Sequence, residues 1–204
     1  MNQQVSPTKG NLISTKKSLD LAKLGFDLLD RKRNILIREM MSMIDKATKI
    51  QEMIDSTYHS AYISLQKANV SLGLCSSISS TVPIETSIQI SYRSIMGVEI
   101  PNVTLDETKP FIYYGFEASN SLLDDAYLKF DCVKKLTITL AEIENSIYRL
   151  AHAIKKTQKR ANALKNIIIP RFSKTVKFIL DALEEKDRED FSRLKVIKKN
   201  KTTD

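Results

Sequence analysis

Apolar residues recur at alternating intervals of three and four positions along the N-terminal part of the chain. One set of positions is Leu12, Leu19, Phe26, Arg33, Met40, Ala47, Ile54 and Ala61, and its companion set is Thr15, Ala22, Leu29, Leu36, Met43, Ile50 and Thr57; twelve of these fifteen positions are apolar. A mean period of about 3.5 residues keeps one face of a helix turned towards a supercoiling partner. The pattern therefore predicts one helix of a coiled coil. A second stripe predicts contact with a third element; its members are Leu21, Leu24, Leu28 and Ile35.

The C-terminal part of the chain repeats the pattern. Its two sets are Val133, Leu140, Ile147, Ile154, Ala161 and Ile168, and Leu136, Ile143, Leu150, Thr157 and Leu164. After Ile168 the stripe resumes at Phe172, an offset of four residues that locally unwinds a supercoil. Pro170 lies at this irregularity and cannot donate a hydrogen bond to the carbonyl of Asn166. We therefore expect a bend or a widened turn near residues 166–170.

Glycine and proline, which disfavour helix interiors, divide the chain into three. Gly25 stands alone between Asn11 and Leu72, and Pro170 stands alone after Phe116, whereas the middle contains Gly73, Pro83, Gly97, Pro101, Pro110 and Gly115. The predicted fold class is a mainly α-helical, antiparallel two-helix coiled coil with a small central β-hairpin. The predicted regions are 1–75 for the first long helix, 76–118 for the hairpin and turns, and 119–204 for the second long helix with its basic tail. Each helix should be on the order of 90 to 110 Å long.

The middle region has a shorter hydrophobic period. Ile84, Ile88 and Ile90 alternate with polar residues, and the aromatic segment PFIYYG follows at residues 110–115. Alternation of this kind predicts a hairpin somewhere within residues 84–116. Because an isolated two-stranded ribbon is marginal in water, we expect it to pack on the coil or on a partner.

The chain is basic, with 204 residues, a formal charge of +8 and a pI near 9.4. This charge is compatible with nucleic acid, an anionic membrane surface or an acidic protein partner. A zipper-type nucleic-acid binder would place a contiguous basic helix ahead of the heptads, but here the heptads begin at Leu12 and the basic residues are scattered. A generic coiled-coil adaptor remains a broader alternative. The N-terminus has no signal-peptide pattern and no apolar run is long enough to span a bilayer, so no direct membrane insertion is expected.

Motifs that would indicate catalysis are absent from the sequence. It contains no G-x-x-x-x-G-K, G-x-G-x-x-G or H-E-x-x-H motif. His59 and His152 have no ligand-spaced neighbours, and Cys75 and Cys132 lack a metal or disulfide pattern. We interpret Glu142, Glu144, Glu184 and Glu185 as solvent-facing charges. The sequence therefore predicts a non-enzymatic protein with no cofactor and no metal.

Three segments resemble the D subunit of V/A-type rotary ATPases. Residues 6–36, SPTKGNLISTKKSLDLAKLGFDLLDRKRNIL, are similar to the start of that family, and residues 94–101, SIMGVEIP, are similar to its central hairpin. Residues 141–172 resemble its C-terminal signature, with A-E-I-E followed by N-A-L and I-P-R. The matches run in order along nearly the whole chain. At residues 155–160, KKTQKR departs from the commoner E-K-T-x-R-R.

The resemblance implies a non-catalytic rotor shaft, part of the central stalk, that transmits torque between a hexamer and a proton- or sodium-carrying membrane ring. Its implied partners are the catalytic and regulatory nucleotide-binding subunits, the F subunit of the rotor and the membrane-ring adaptor. It implies a cytoplasmic location at the membrane surface and no nucleic acid. The predicted seam residues are Leu19, Phe26, Leu29, Leu36, Met40, Ile50, Ile54, Leu140, Ile143, Ile147, Leu150, Ile154, Leu164 and Ile168. The candidate partner contacts are Lys155, Lys156, Lys159, Arg160, Ile88, Ile90, Met96, Val98, Phe111 and Tyr113.

Overall fold

The computed structural model describes residues 6–105, 111–115 and 119–201. Within these residues, four α-helices and one hairpin occur in the order α1 Lys9–Leu72, α2 Ser76–Ser79, β1 Ile88–Ile95, β2 Val98–Leu105, α3 Ser121–Ala163 and α4 Ile169–Lys201. A π-helical turn, Leu164–Ile168, lies between α3 and α4. The chain forms two compact units.

The inner ends of the long helices are fixed by local chemistry. Gly73 follows α1 with a φ of 81°, and its N–H donates to the Asn69 carbonyl at 2.9 Å. A left-handed residue of this kind is a common helix stop and favours glycine. At the start of α3, the side-chain oxygen of Asn120 accepts from the Leu123 N–H at 3.1 Å. This cap satisfies an N–H that has no partner within the helix.

The first unit comprises Met1–Asn34 and Lys155–Asp204. Arg33 donates to the Gln158 side chain at 2.8 Å, and the Lys165 ammonium lies 5.7 Å from the centre of the Phe26 ring. Because the residue number falls in α1 as it rises in the partner helix, the two segments are antiparallel. The buried side chains of this unit are those of Ala22, Thr157, Ala161 and Ile179.

The second unit, Ile35–Ile154, pairs the remainder of α1 with α3. Asn120 donates to the Ser71 hydroxyl at 2.8 Å, and Lys129 donates to the Ser64 hydroxyl at 2.5 Å. Further along, Leu36 and Leu150 are fully buried in one apolar cluster. The pairing is again antiparallel. The predicted fold class, an antiparallel helical coil with a small hairpin, is confirmed.

Burial differs between the two apolar stripes of α1. Every seam residue named from the sequence is buried or half-buried, with Leu36, Ile54 and Leu150 the most buried of them. In contrast, Leu21, Leu24 and Leu28 of the second stripe are 68%, 60% and 67% exposed. Among the described residues no third element covers them, so contact with such an element stays a prediction.

The expected widened turn is present. Within Leu164–Ile168 the helix takes π geometry, and the Ile169 N–H donates to the Leu164 carbonyl, five residues back. The ring of a proline inside an α-helix collides with the carbonyl four residues earlier. Widening the turn ahead of Pro170 relieves that collision, and the extra residue provides the four-residue offset of the apolar stripe.

The hairpin is shorter than the region in which it was predicted. β1 and β2 pair antiparallel from Ile88 opposite Leu105 to Ile95 opposite Val98. The hairpin lies within the predicted range, and the residues 111–115 of the aromatic segment lie outside both strands. Tyr114 instead packs in a second apolar cluster with Ala68, Cys75 and Leu123.

The two-residue turn of the hairpin contains a strained methionine. Met96 and Gly97 have φ angles of 50° and 73°, the pattern of a type I′ turn. Asn tolerates this region better than Met, so we expect Met96→Asn to raise the free energy of unfolding by about 0.5–1 kcal/mol. Urea denaturation measures the change. Met53→Asn, at a 52% exposed position in α1, should lower the free energy instead, because Asn is a weaker helix former. If both substitutions changed the free energy of unfolding in the same direction, backbone strain in the turn would be excluded as the cause.

Candidate interaction surfaces

The hairpin is anchored in the core of the second unit by Ile100. This β2 side chain has no exposed surface and lies in one cluster with Leu36, Met43 and Leu150. Ile95 and Val98 pack against the same cluster. The hairpin therefore supplies part of the coil's core, although the heptad pattern placed both seams outside it. Alternation through Val98 and Ile100 was the only sequence signal for this contact.

Two side chains of α3 cover the edge of β2 that faces away from β1. Glu142 accepts from the Val103 N–H at 3.0 Å, and Arg149 donates to the Glu99 carbonyl at 3.3 Å. Pro101 lies between these two strand residues and has no N–H to satisfy, which suits a strand edge. The Arg149 guanidinium also lies 5.3 Å from the centre of the Tyr92 ring. The interpretation of Glu142 as a solvent-facing charge was wrong, because the strand edge needs an acceptor there.

Removal of the Glu142 carboxylate should loosen β2. We expect Glu142→Ala to lower the free energy of unfolding by about 1–2 kcal/mol, because the half-buried Val103 N–H loses its acceptor. Amide hydrogen exchange at Val103 should accelerate. Glu144→Ala, two residues away at an exposed position of the same helix, is the matched control. If the Glu142 variant showed unchanged amide exchange at Val103, water would be replacing the carboxylate as the acceptor of this N–H without any loss of stability.

A groove of about 300 Å³ separates the hairpin from α3. Its strand wall includes Ile88, Ile90 and Tyr92, which are 41%, 59% and 58% exposed. The other partner-contact candidates predicted from the sequence in this region differ in exposure. Met96, Phe111 and Tyr113 are exposed, whereas Val98 is half-buried against the coil. Among these candidates, the exposed apolar surface therefore lies mainly on β1 and on the aromatic segment.

Glu85 links the segment that precedes β1 to α3 through its carboxylate. Its carboxylate accepts from the Ser87 hydroxyl at 2.5 Å and from the Lys134 ammonium at 2.9 Å. The Ser87 hydrogen bond, followed by that of Lys134, lowers the pKa of Glu85 to about 2. A carboxyl pKa that is lowered by folding stabilises the fold above the ordinary carboxyl range, and this stabilisation is lost as the pH falls towards the folded pKa. The attachment therefore persists at neutral pH.

The predicted basic face lies in the first unit. Lys155, Lys156, Lys159 and Arg160 are all exposed, and no ion pair involving them occurs among the described residues. Their spacing places them in two adjacent rows along α3. Thr157 and Ala161, on the other side of the same turns, are buried. The cluster is thus a solvent-facing patch of positive charge beside the apolar seam.

Neither a metal cluster nor a membrane span is found in the described part of the chain. Across residues 6–105, 111–115 and 119–201, no group of three or more His, Cys, Asp and Glu side chains could hold a metal ion. Within those same ranges, no helix has both the length and the apolar character required to cross a bilayer.

Comparison with known proteins places these features in a family. A family model that describes the D subunit of ATP synthase matches residues 11–199. The V-type ATP synthase D subunit of Thermotoga neapolitana is 46% identical over 196 residues, which cover 95% of this chain and 97% of the relative. The A-type ATP synthase D subunits of Methanosphaera stadtmanae and Pyrococcus horikoshii are 37% and 38% identical over 201 and 200 residues, in each case 96% of this chain and 94% of the relative. This chain therefore belongs to the family of ATP synthase D subunits.

Proposed function

We propose that this chain is the central rotor shaft of a V/A-type ATP synthase at the cytoplasmic face of the membrane. It carries torque between the hexamer of nucleotide-binding subunits and a proton- or sodium-carrying membrane ring, and contributes no catalytic group. Family membership over nearly the whole chain is the observation that carries the proposal. The same match disfavours a generic adaptor or a nucleic-acid binder.

The helix pairs have properties that torque transmission requires. Their apolar seam side chains are buried or half-buried along both units, so two helices resist twisting and bending together where one alone would yield. In the proposed assembly the terminal coil lies inside the hexamer. The F subunit of the rotor and the ring adaptor bind the chain outside the hexamer. Uneven contacts of the shaft with the three catalytic interfaces shift them between open and closed states.

Rotation can be observed directly in the assembled complex. With the hexamer immobilised, a probe attached to the exposed Cys132 should turn in one direction while ATP is hydrolysed. Cys75 is buried, so labelling should be confined to Cys132, and a Cys132→Ser complex provides the unlabelled control. Continued hydrolysis with a stationary probe would refute the shaft function.

The basic face is proposed to contact acidic groups of the hexamer. We expect Lys156→Glu combined with Lys159→Glu to weaken assembly at least tenfold at low salt, because attraction becomes repulsion. This weakening of assembly should become smaller at higher salt concentration, because salt screens the charges. Lys16→Glu combined with Lys17→Glu changes the charge equally at exposed positions of the same unit and is the control. Assembly measured by size-exclusion chromatography would contradict the proposal if the two variants behaved alike at every salt concentration.

The exposed wall of the hairpin groove is proposed to tune coupling through contact with the F subunit or the lower rim of the hexamer. The motivation is its apolar surface at Ile88 and Ile90, which the described residues of the chain leave partly exposed. Deleting the hairpin would not test this idea cleanly, because Ile100 would leave the core at the same time. Substitution of the exposed side chains is the better experiment.

A further inference from the structure

In the first unit, α4 continues beyond the point at which its partner helix begins. Gly25 faces Leu164, since a Cβ atom added to this glycine would lie 3.8 Å from Cδ1 of the leucine. The helices are antiparallel and the π turn holds one extra residue, so Lys9, the first residue of α1, lies opposite about residue 181. Because α4 ends at Lys201, residues 184–201 form a single helix about 27 Å long beyond α1. We call this segment the overhang.

The overhang has no buried face among the described residues. Every residue from Glu184 to Lys198 is exposed. Four of them are large and apolar, with exposed fractions of 53% to 70%: Phe191, Leu194, Val196 and Ile197. A lone helix of about 18 residues is marginal in water, and ion pairs between exposed side chains, such as that of Arg193 with Glu189, stabilise it little. The overhang therefore presents an apolar surface that a partner helix could cover.

Charge divides the overhang into two blocks of opposite sign. Residues 184–190, EEKDRED, contain five acidic and two basic side chains, whereas residues 193–201, RLKVIKKNK, contain five basic and no acidic ones. The sign changes at the midpoint of the overhang, between Ser192 and Arg193. A helix that is acidic in its first half and basic in its second is complementary to a reversed copy of itself. The charge pattern thus favours a second copy of this chain as the partner.

The spacing of the side chains agrees with such a pair. From Leu183, the last half-buried seam position, a stripe with steps of three and four continues along one side of the helix through Asp187, Phe191, Leu194 and Lys198. In a reversed copy related by a twofold axis at the midpoint, Phe191 faces Leu194 and Asp187 faces Lys198. Two apolar layers then lie at the centre, with a layer of opposite charges on either side. The second copy continues the seam where α1 stops.

We propose that the overhang is a self-association surface through which two copies of the unassembled chain pair antiparallel. Phe191 of each copy packs on Leu194 of the other, and Asp187 of each pairs with Lys198 of the other. The same patch is used on both copies, so the contact closes at a dimer and does not propagate into a filament. Pairing covers apolar side chains that the free chain otherwise exposes to non-specific association.

Sedimentation equilibrium of the full-length chain measures the pairing. Because the apolar overlap is short, we expect a weak dimer with a dissociation constant on the order of 10–100 µM. Salt should weaken the dimer severalfold, because it screens the attraction between the acidic and basic blocks. A chain that stays monomeric from about 5 µM to about 1 mM would overturn the proposal.

Charge reversal tests the register of the pair. Asp187→Lys and Lys198→Asp should each weaken the dimer at least tenfold, because the facing charges become alike. An equimolar mixture of the two variants should bind within about threefold of the unaltered chain, since each lysine again faces an aspartate. Glu189→Lys, the same change of charge on the opposite side of the helix, is the matched control and should change the dissociation constant less than about twofold. A mixture that fails to recover, or a dimer that neither reversal weakens, would overturn the proposed pairing.

Discussion

Leu150→Ala is expected to lower the free energy of unfolding by about 2–5 kcal/mol. The Leu150 side chain has no exposed surface and belongs to one buried cluster with Leu36 and Met43 in the core of the second unit. Truncation removes apolar contacts from both helices and leaves a cavity that long, continuous helices cannot easily close. Urea denaturation followed by circular dichroism measures the loss.

Leu128→Ala is the matched control for this variant. It makes the same chemical change in the same helix, but at a side chain that is 49% exposed. We expect Leu128→Ala to lower the free energy of unfolding by less than about 1 kcal/mol. Similar losses at the two positions would show that the seam does not hold the helices together.

Ile100→Ala is expected to lower the free energy of unfolding by about 2–4 kcal/mol, although the residue belongs to the hairpin. Ile100 has no exposed surface and belongs to one buried cluster with Leu36, Met43 and Leu150. Its truncation should accelerate amide exchange in β2 and also around Leu36 and Leu150, because one core contains all three. Faster exchange confined to the strands would mean that the hairpin is a separable appendage.

The exposed hairpin wall provides the control and also the test of coupling. Ile88→Ser combined with Ile90→Ser changes side chains that are 41% and 59% exposed, so we expect a loss of less than about 1 kcal/mol. If the wall contacts a partner, ATP turnover of the assembled complex should fall severalfold while assembly persists. Normal turnover would refute the coupling role of the hairpin without affecting the Ile100 result.

Local rules of sequence were enough to predict the helices, their pairing and the irregularity near Pro170. A heptad period keeps one face of a helix apolar, and proline cannot continue an α-helical ladder. Because both seams belong to one chain with a turn region between them, an antiparallel pair is the simplest way to bury them. The motifs at residues 6–36 and 141–172 were specific enough to indicate the family.

The way in which the hairpin meets the coil depends instead on tertiary packing. Ile100 enters the core, and Glu142 and Arg149 satisfy the β2 edge, through contacts between residues about 40 to 65 positions apart in the chain. The hydrophobic period and the secondary-structure propensity of the residues describe one helix or strand at a time. They therefore cannot indicate which residue of a strand contacts which turn of a helix. The same reason applies to Gly25 and Leu164, whose juxtaposition depends on the register of two helices. Register is set by packing summed over the whole seam.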